Sequence, residues 1–215
     1  MNDRYKGEQV LVFPQRLLAQ LGHFNGSSAD INRYLPEIFA RGNTRFHPRH
    51  EAEQDPSLKQ IIPYVLFTYG DQIFSYVRGK KAGETRLVGN RSVGIGGHVN
   101  PVDGQLSLGL GDARDAEDDY ATYLKAVQRE IDEEVILDAP GPHATEIIGL
   151  INDDTNEVGQ VHFGVIHRCR LDTPHVRKRE SQITEAGFLP IAELAGPRRA
   201  ELENWSQIAI DFLIS

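Results

Sequence analysis

A single cysteine, Cys169, leaves the 215-residue chain unable to form an intramolecular disulfide. A disulfide-stapled scaffold is thereby excluded, and a reducing compartment fits this usage. Long apolar runs are also missing: none reaches the roughly 18 residues that a membrane-crossing helix needs. The opening MNDRYKGEQVLVFPQR has too short an apolar run for a secretory signal. A cytoplasmic protein is the expectation. Basic residues are in the minority, with 23 Lys and Arg against 31 Asp and Glu and a net charge of −8. That balance argues against a nucleic-acid polymer or an anionic membrane as partner. It does not exclude a small anionic substrate, because bound cations reverse the local sign of a site. No repeat or low-complexity tract is visible.

What is present is the pattern of a globular α/β chain, long enough to bury a substantial core. Val10 to Phe13 is a short apolar run closed by Pro14, and Gln15 to Leu21 fits a short helix stopped by Gly22. Ile31, Tyr34, Leu35, Ile38 and Phe39 have helical spacing, with Ser28 or Asp30 as cap and Pro36 inside. Residues 41 to 60 are polar and predict an irregular connection with one helical turn beginning at Asp55-Pro56. Residues 1–58 are thus expected to form an extension on a main domain of residues 59–215. Ile61–Thr68 and Gln72–Val77 flank Tyr69-Gly70-Asp71 as a β-hairpin. Ser92–Val99 predicts an extended segment, and residues 103–115 a glycine-containing loop. Glu146–Asn152 and Gly159–Leu171 predict strands. Ala186–Leu194 predicts a short apolar run and a helical turn, and Glu201–Leu213 a closing amphipathic helix.

The most regular helix spans residues 118–137, with Tyr120, Tyr123, Leu124, Val127 and Ile131 as its apolar stripe. Glu130, Glu133 and Glu134 stand at i, i+3 and i+4 and so share one helix face. Three like charges there repel, and their place near the helix C-terminus is opposed by the dipole. Divalent cations would relieve both effects, and hard oxygen donors suit Mg²⁺ or Mn²⁺. Arg129 lies four residues before Glu133 and can orient it. An acidic helix face bathed by solvent is the plain alternative.

Arg129-Glu130-Ile131-Asp132-Glu133-Glu134, with Leu137, resembles the second half of the Nudix box. That motif runs glycine, five residues, glutamate, seven residues, then Arg-Glu-aliphatic-x-Glu-Glu-x-Gly-aliphatic. The resemblance implies a Nudix-type α/β/α sandwich around a mixed sheet, covering roughly residues 60–215. It implies metal binding by Glu130, Glu133 and Glu134, with Arg129 orienting the carboxylates. The sequence departs from the motif at Ala121, where the first glutamate would stand, and at Ile136, where the last glycine would stand. Gly96-Gly97-His98-Val99 resembles the entry to the box, which makes residues 100–117 an insertion and gives Gly97 a carbonyl to offer a metal. Gly96 and Gly97 are otherwise a strand-end turn. Asp118 or Asp119 is expected to replace the lost glutamate as partner of Arg129. Glu185 to Leu194 resembles the strand and turn that follow the box.

The function implied is metal-dependent hydrolysis of a phosphoanhydride in a nucleoside diphosphate linked to another group. The general base is either a box glutamate or a later one, for which Glu180 and Glu185 are candidates beside a plain surface role. The alternative is a Nudix-fold module that binds or senses a nucleotide without turnover. A diphosphate isomerase of the isopentenyl type shares the fold but uses a cysteine near the start of the box, and Cys169 comes well after it. His98 either reaches substrate phosphate or is structural. His162 and His167 have no Cys or His partner in local sequence and predict no zinc site. Asp153, Asp154 and Glu157 read as a solvated turn, Arg177-Lys178-Arg179 as a charged loop, and Cys169 as strand packing. Exposed sheet edges and the extension are compatible with a homodimer.

Overall fold

The computed structural model describes residues 7–79, 89–105, 116–137, 144–179 and 183–215. Its elements run β1 (Gln9–Pro14), α1 (Arg16–Leu21), β2 (Gly26–Ser28), α2 (Ile31–Ile38), β3 (Arg45–Pro48), α3 (Arg49–Ala52), β4 (Leu58–Tyr69) and β5 (Gln72–Arg78). They continue through β6 (Arg91–Ser92), β7 (Gly94–Ile95), α4 (Pro101–Gln105), α5 (Ala116–Glu134), β8 (Val135–Leu137), β9 (Glu146–Asn152) and α6 (Glu157–Gln160). The chain closes with β10 (His162–Arg170), β11 (Val176–Lys178), β12 (Ile183–Pro190), α7 (Ile191–Ala195) and α8 (Asn204–Ile214).

The main sheet has the strand path β12-β5-β4-β10-β9-β2. Its central strand β4 is buried along its length except at Tyr69, so it lacks the alternation of a half-exposed strand. Antiparallel pairing joins β5 to β12 and β1 to β4. Gln60 N donates to Val161 O and Leu171 N to Thr68 O, both at 2.8 Å. The residues of β4 and β10 therefore advance in the same direction, and the sheet is mixed. The fold is α/β with a mixed central sheet. Among the described residues no helix is long and apolar enough to cross a membrane.

Two compact units divide the chain. The first comprises Met1–Pro63, Gly97–Arg129 and Gly149–Val165. In it β1 pairs with β3 and with β4, and Val10, Val12, Ala52 and Leu58 cluster in its core. Phe13 and Phe163 meet edge to face at 5.2 Å between centroids. Residues 41–60, expected to be irregular, hold β3 and α3 instead. The one helical turn begins at Arg49, after Pro48 has set the entry angle, and Asp55 forms a turn with Ser57 N at 2.9 Å. Lys59 is fully buried, with its ammonium donating to Asp154 Oδ1 at 2.6 Å and to the Gly159 carbonyl at 2.9 Å. Removing the Asp154 carboxylate would strand the Lys59 charge in the interior.

The second unit comprises Tyr64–Gly96, Glu130–Ile148 and Ile166–Ser215. The β4–β5 hairpin turns at Gly70, whose φ of +57° is a conformation open to glycine at no steric cost. A buried polar network fills this unit. Arg78 Nε donates to Glu203 at 2.6 Å, Ser92 Oγ to the same carboxylate at 2.7 Å, and Tyr64 and Ser206 hydroxyls meet at 2.9 Å. Arg177 and Lys178, expected in a loop, belong to β11, which pairs with β8. Charged side chains suit so short a strand, because they discourage further pairing.

Candidate active site

Helix α5 carries the acidic segment. It ends at Glu134, where the chain passes directly into β8. Arg179 N donates to the Glu134 carbonyl at 3.0 Å, and Ile136 lies opposite Arg177 in the β8–β11 ladder. A β-branched residue suits that extended backbone, whereas glycine would weaken it. The departure from the box at Ile136 thus has a local structural cause. Glu130 is buried, Glu134 half-buried and Glu133 exposed. Ile131 and Val135 anchor this end of the helix in the core.

Arg129 ends the Gly97–Arg129 segment of the first unit, and Glu130 begins the Glu130–Ile148 segment of the second. The Arg129 guanidinium grips Asp103, with Nε at 2.6 Å from Oδ1 and Nη2 at 3.1 Å from Oδ2. Nη2 also donates to the His98 carbonyl at 2.9 Å. Gly97, half-buried, immediately precedes that carbonyl, so Arg129 and the glycine-containing segment are brought together within the first unit. Asp103 is fully buried and accepts Asn100 N at 2.8 Å, closing the first turn of α4. Gly104, next along α4, lies so close to α5 that a Cβ there would come within 2.9 Å of Thr122 Oγ1.

Asp103 corrects the expectation that Asp118 or Asp119 partners the arginine. Asp119 accepts from Thr44 Oγ1 at 2.7 Å instead, and the side chain of Asp118 lies outside the described residues. A partner on α5 at Ala121 would be two helical turns away, a rise of about 12 Å. The stretch expected as a loop over 103–115 begins instead with α4, and residues 106–115 lie outside the described residues, as does Glu180. Glu185 adopts a left-handed φ of 52° and its carboxylate is 2.9 Å from Arg91 Nη2. Both line a cavity of about 230 Å³ with Phe188 and Arg198.

A second cluster was not foreseen in the sequence. Glu53, His98 and His162 converge within the first unit, with their ligand atoms all within 4.8 Å of one another. The two imidazole Nε2 atoms are 3.4 Å apart, and each lies 4.0 Å from Glu53 Oε1. Glu53 follows α3 and is approached at 3.4 Å by Arg49 Nε, whose Nη1 binds Glu8 at 3.0 Å. His98 is fixed along the backbone by Leu11 N, which donates to the Val99 carbonyl at 3.0 Å. His162 opens β10 and its Nδ1 lies 2.6 Å from the Val158 carbonyl. Burial first, then the cations Arg49 and Arg129 and the His162 ring, holds His98 well below the usual imidazole range. Burial also lowers His162, against the opposing pull of Glu53. No local spacing announces this cluster, because its members are 45 and 64 residues apart.

His167 stays apart from it, with Nδ1 3.0 Å from Thr145 Oγ1 and a pKa pushed down to about 4 by burial. The acidic turn at 153–157, expected to be solvated, is partly interior. Asp153 is buried and accepts from Thr155 Oγ1 and Asn156 Nδ2 at 2.5 and 2.6 Å, while Asp154 receives Lys59 and His23. Cys169 is buried and its thiol is pushed up to about 11, as suits packing rather than nucleophilic attack.

No protein-family model matches the chain. Protein YmaB of Bacillus subtilis (strain 168) is 35% identical over 195 residues, which is 88% of this chain and 88% of that protein. The crystal structure of Tm1382, described there as a candidate Nudix hydrolase, superposes with a TM-score of 0.72 at 28% identity, over 96% of this chain and 98% of that one. DR0079 from Deinococcus radiodurans shares the fold, with a TM-score of 0.51 at 14% identity over 77% of this chain and 89% of its own. With the Arg-Glu helix in a mixed α/β fold and alignments of this extent, the chain belongs to the Nudix family and to the same family as YmaB.

Proposed function

We propose that this protein is a hydrolase of phosphoanhydride bonds in a nucleoside diphosphate linked to another group, dependent on Mg²⁺ or Mn²⁺. One observation carries this reading: Glu130, Glu133 and Glu134 share a face of α5 directly after an arginine that a buried aspartate immobilises. The donor set fits the group. All three side chains offer hard oxygen, and Glu133 is exposed where a solvated ion and an anionic substrate could reach it.

A divalent ion held there supplies positive charge to the phosphates and makes an attacking water more acidic. The protein supplies the rest. Glu133 or Glu134 takes the proton of the attacking water, the water oxygen bonds to phosphorus, and the anhydride P–O bond breaks to give two phosphorylated products. Arg129, fixed by Asp103 and the His98 carbonyl, keeps this turn of α5 in one orientation. Residues 1–58 and 100–117 are the segments proposed to select the substrate. The test is a panel of nucleoside diphosphate derivatives with either cation, with phosphate read before and after added phosphatase. Glu133→Gln and Glu134→Gln should each lower turnover at least ~100-fold, equivalent to about 2.7 kcal/mol. Full turnover in both variants sinks the assignment. The departures at Ala121 and Ile136 favour a second reading, a nucleotide-binding module, which predicts saturable binding of the same compounds with no phosphate released.

A further inference from the structure

We propose that Glu53, His98 and His162 form a binding site for one divalent transition cation of the zinc class, separate from the acidic face of α5. The two imidazoles set the geometry. A tetrahedral ion with bonds of about 2.0–2.1 Å spaces two nitrogen ligands by roughly 3.3–3.4 Å, and the Nε2 atoms are 3.4 Å apart. That separation lies at the long limit of a hydrogen bond between them. The tautomer follows from the contact behind the ring. Nδ1 of His162 lies 2.6 Å from the Val158 carbonyl, which accepts and cannot donate, so Nδ1 carries the hydrogen and Nε2 presents its lone pair toward His98. A ring held by its far nitrogen to a carbonyl is the arrangement that orients metal-bound histidines.

Glu53 completes the set from 4.0 Å. A closing movement of about 0.6 Å would bring its oxygen to ligand spacing. Its contact with Arg49 at 3.4 Å is long, and Glu53 follows a helix of a single turn, so little else has to move. The charge around the site admits a cation. Arg49 and Arg129 are offset by Glu8, Glu53 and Asp103, and Lys59 by Asp154, which leaves one net negative charge before any ion enters. Two imidazole nitrogens and one carboxylate favour zinc, cobalt or iron over magnesium. Three protein ligands leave a fourth position for water. The three come from the end of α3, the segment after β7 and the start of β10, so the ion would clamp distant parts of the first unit.

The test uses the full chain, stripped of metal by chelation and titrated in millimolar Mg²⁺ so that hard-oxygen sites are filled. Zn²⁺ binding is read by calorimetry, and Co²⁺ binding by its visible ligand-field absorption. One equivalent should bind in the wild type and in Glu133→Gln. Zn²⁺ at a hundredfold excess over Kd should raise Tm by roughly 5–10 °C. His98→Gln and Glu53→Gln should each weaken binding at least ~10-fold and change or abolish the Co²⁺ absorption. Glu53→Gln, at a half-buried side chain, supplies the result if His98→Gln does not fold. No binding at micromolar Zn²⁺, binding that Glu133→Gln removes, or binding unchanged in Glu53→Gln overturns the proposal. Loss of phosphohydrolase activity in Glu133→Gln with Zn²⁺ binding intact separates this site from the acidic helix.

Discussion

The acidic end of α5 and the Glu53–His98–His162 cluster are both chemistry-bearing, yet they are built in opposite ways. The three glutamates lie within five residues, one exposed and one half-buried, and depend on the helix alone for their common face. The histidines and Glu53 come from three separate segments, and the fold must be complete before they meet. Local spacing therefore encodes the first and long-range packing the second. The first accumulates like charge that calls for hard cations. The second holds neutral imidazoles beside one carboxylate, which calls for softer ones. Asp103 bears on this contrast, since it fixes Arg129 and, through Arg129, the His98 carbonyl.

The largest effect is accordingly expected at Asp103. Asp103→Ala leaves the guanidinium without its buried carboxylate and should destabilise the protein by about 3–5 kcal/mol, lowering Tm by roughly 10 °C. Denaturant unfolding measures this. Asp103→Asn, which keeps the shape but loses the charge, should fall between. A loss below about 1 kcal/mol in Asp103→Ala would mean that the pair is not what holds α4 to α5.

Next is the division of labour between the two clusters. Turnover should fall at least ~100-fold in Glu133→Gln while stability stays within about 0.5 kcal/mol, because the side chain is exposed. Glu53→Gln should leave turnover within about threefold, which is under 1 kcal/mol. Equal losses in the two variants would join the clusters into one functional site and end the contrast.

Acid provides a third test. His167 has its pKa pushed from 6.5 down to about 4 by burial. The unfolded chain therefore binds a proton that the folded chain refuses. The resulting stability is whole above pH 6.5 and is lost as pH falls toward about 4, by at most on the order of 3 kcal/mol. His167→Gln should flatten the unfolding free energy over that window. An unchanged slope would show that other groups carry the acid response.

Much of the fold was legible because local patterns agreed with the packing. Strand β9 spans the expected residues, Glu146–Asn152. Helix α5 buries Tyr123, Val127 and Ile131 of its apolar stripe, though Tyr120 and Leu124 are exposed and residues 135–137, expected in the helix, form β8. The misses have physical causes. Strand β11 is Val-Arg-Lys, whose charged residues lack the apolar pattern of a strand, and it forms only by pairing with the equally short β8. Strand β3 and helix α3 occupy a polar stretch whose hydrogen bonds to β1 and ion pairs to Glu8 are remote in sequence. For the site, the glutamates and Arg129 could be found by spacing. Asp103 could not, because it reaches Arg129 across 26 residues from a helix hidden in what read as a loop.

The smallest expected effect concerns the residue most conspicuously at odds with the motif. Ala121 occupies the place of the first box glutamate, which would make Ala121→Glu look like a repair. The side chain at 121 is exposed on α5, and eight residues of continuous helix put it about 12 Å of rise from Arg129. A glutamate side chain cannot span that distance, and the guanidinium already has a bidentate partner in Asp103. Ala121→Glu should shift stability by less than about 0.5 kcal/mol and leave turnover unchanged. It should also fail to rescue Asp103→Ala, measured as the double variant against the single one. Rescue would require α5 to break or rewind before Arg129 and would restore the family's arrangement in place of the one found here. Failure would make Asp103 a true relocation of the arginine's partner, held by the same packing that assembles the cluster at His98.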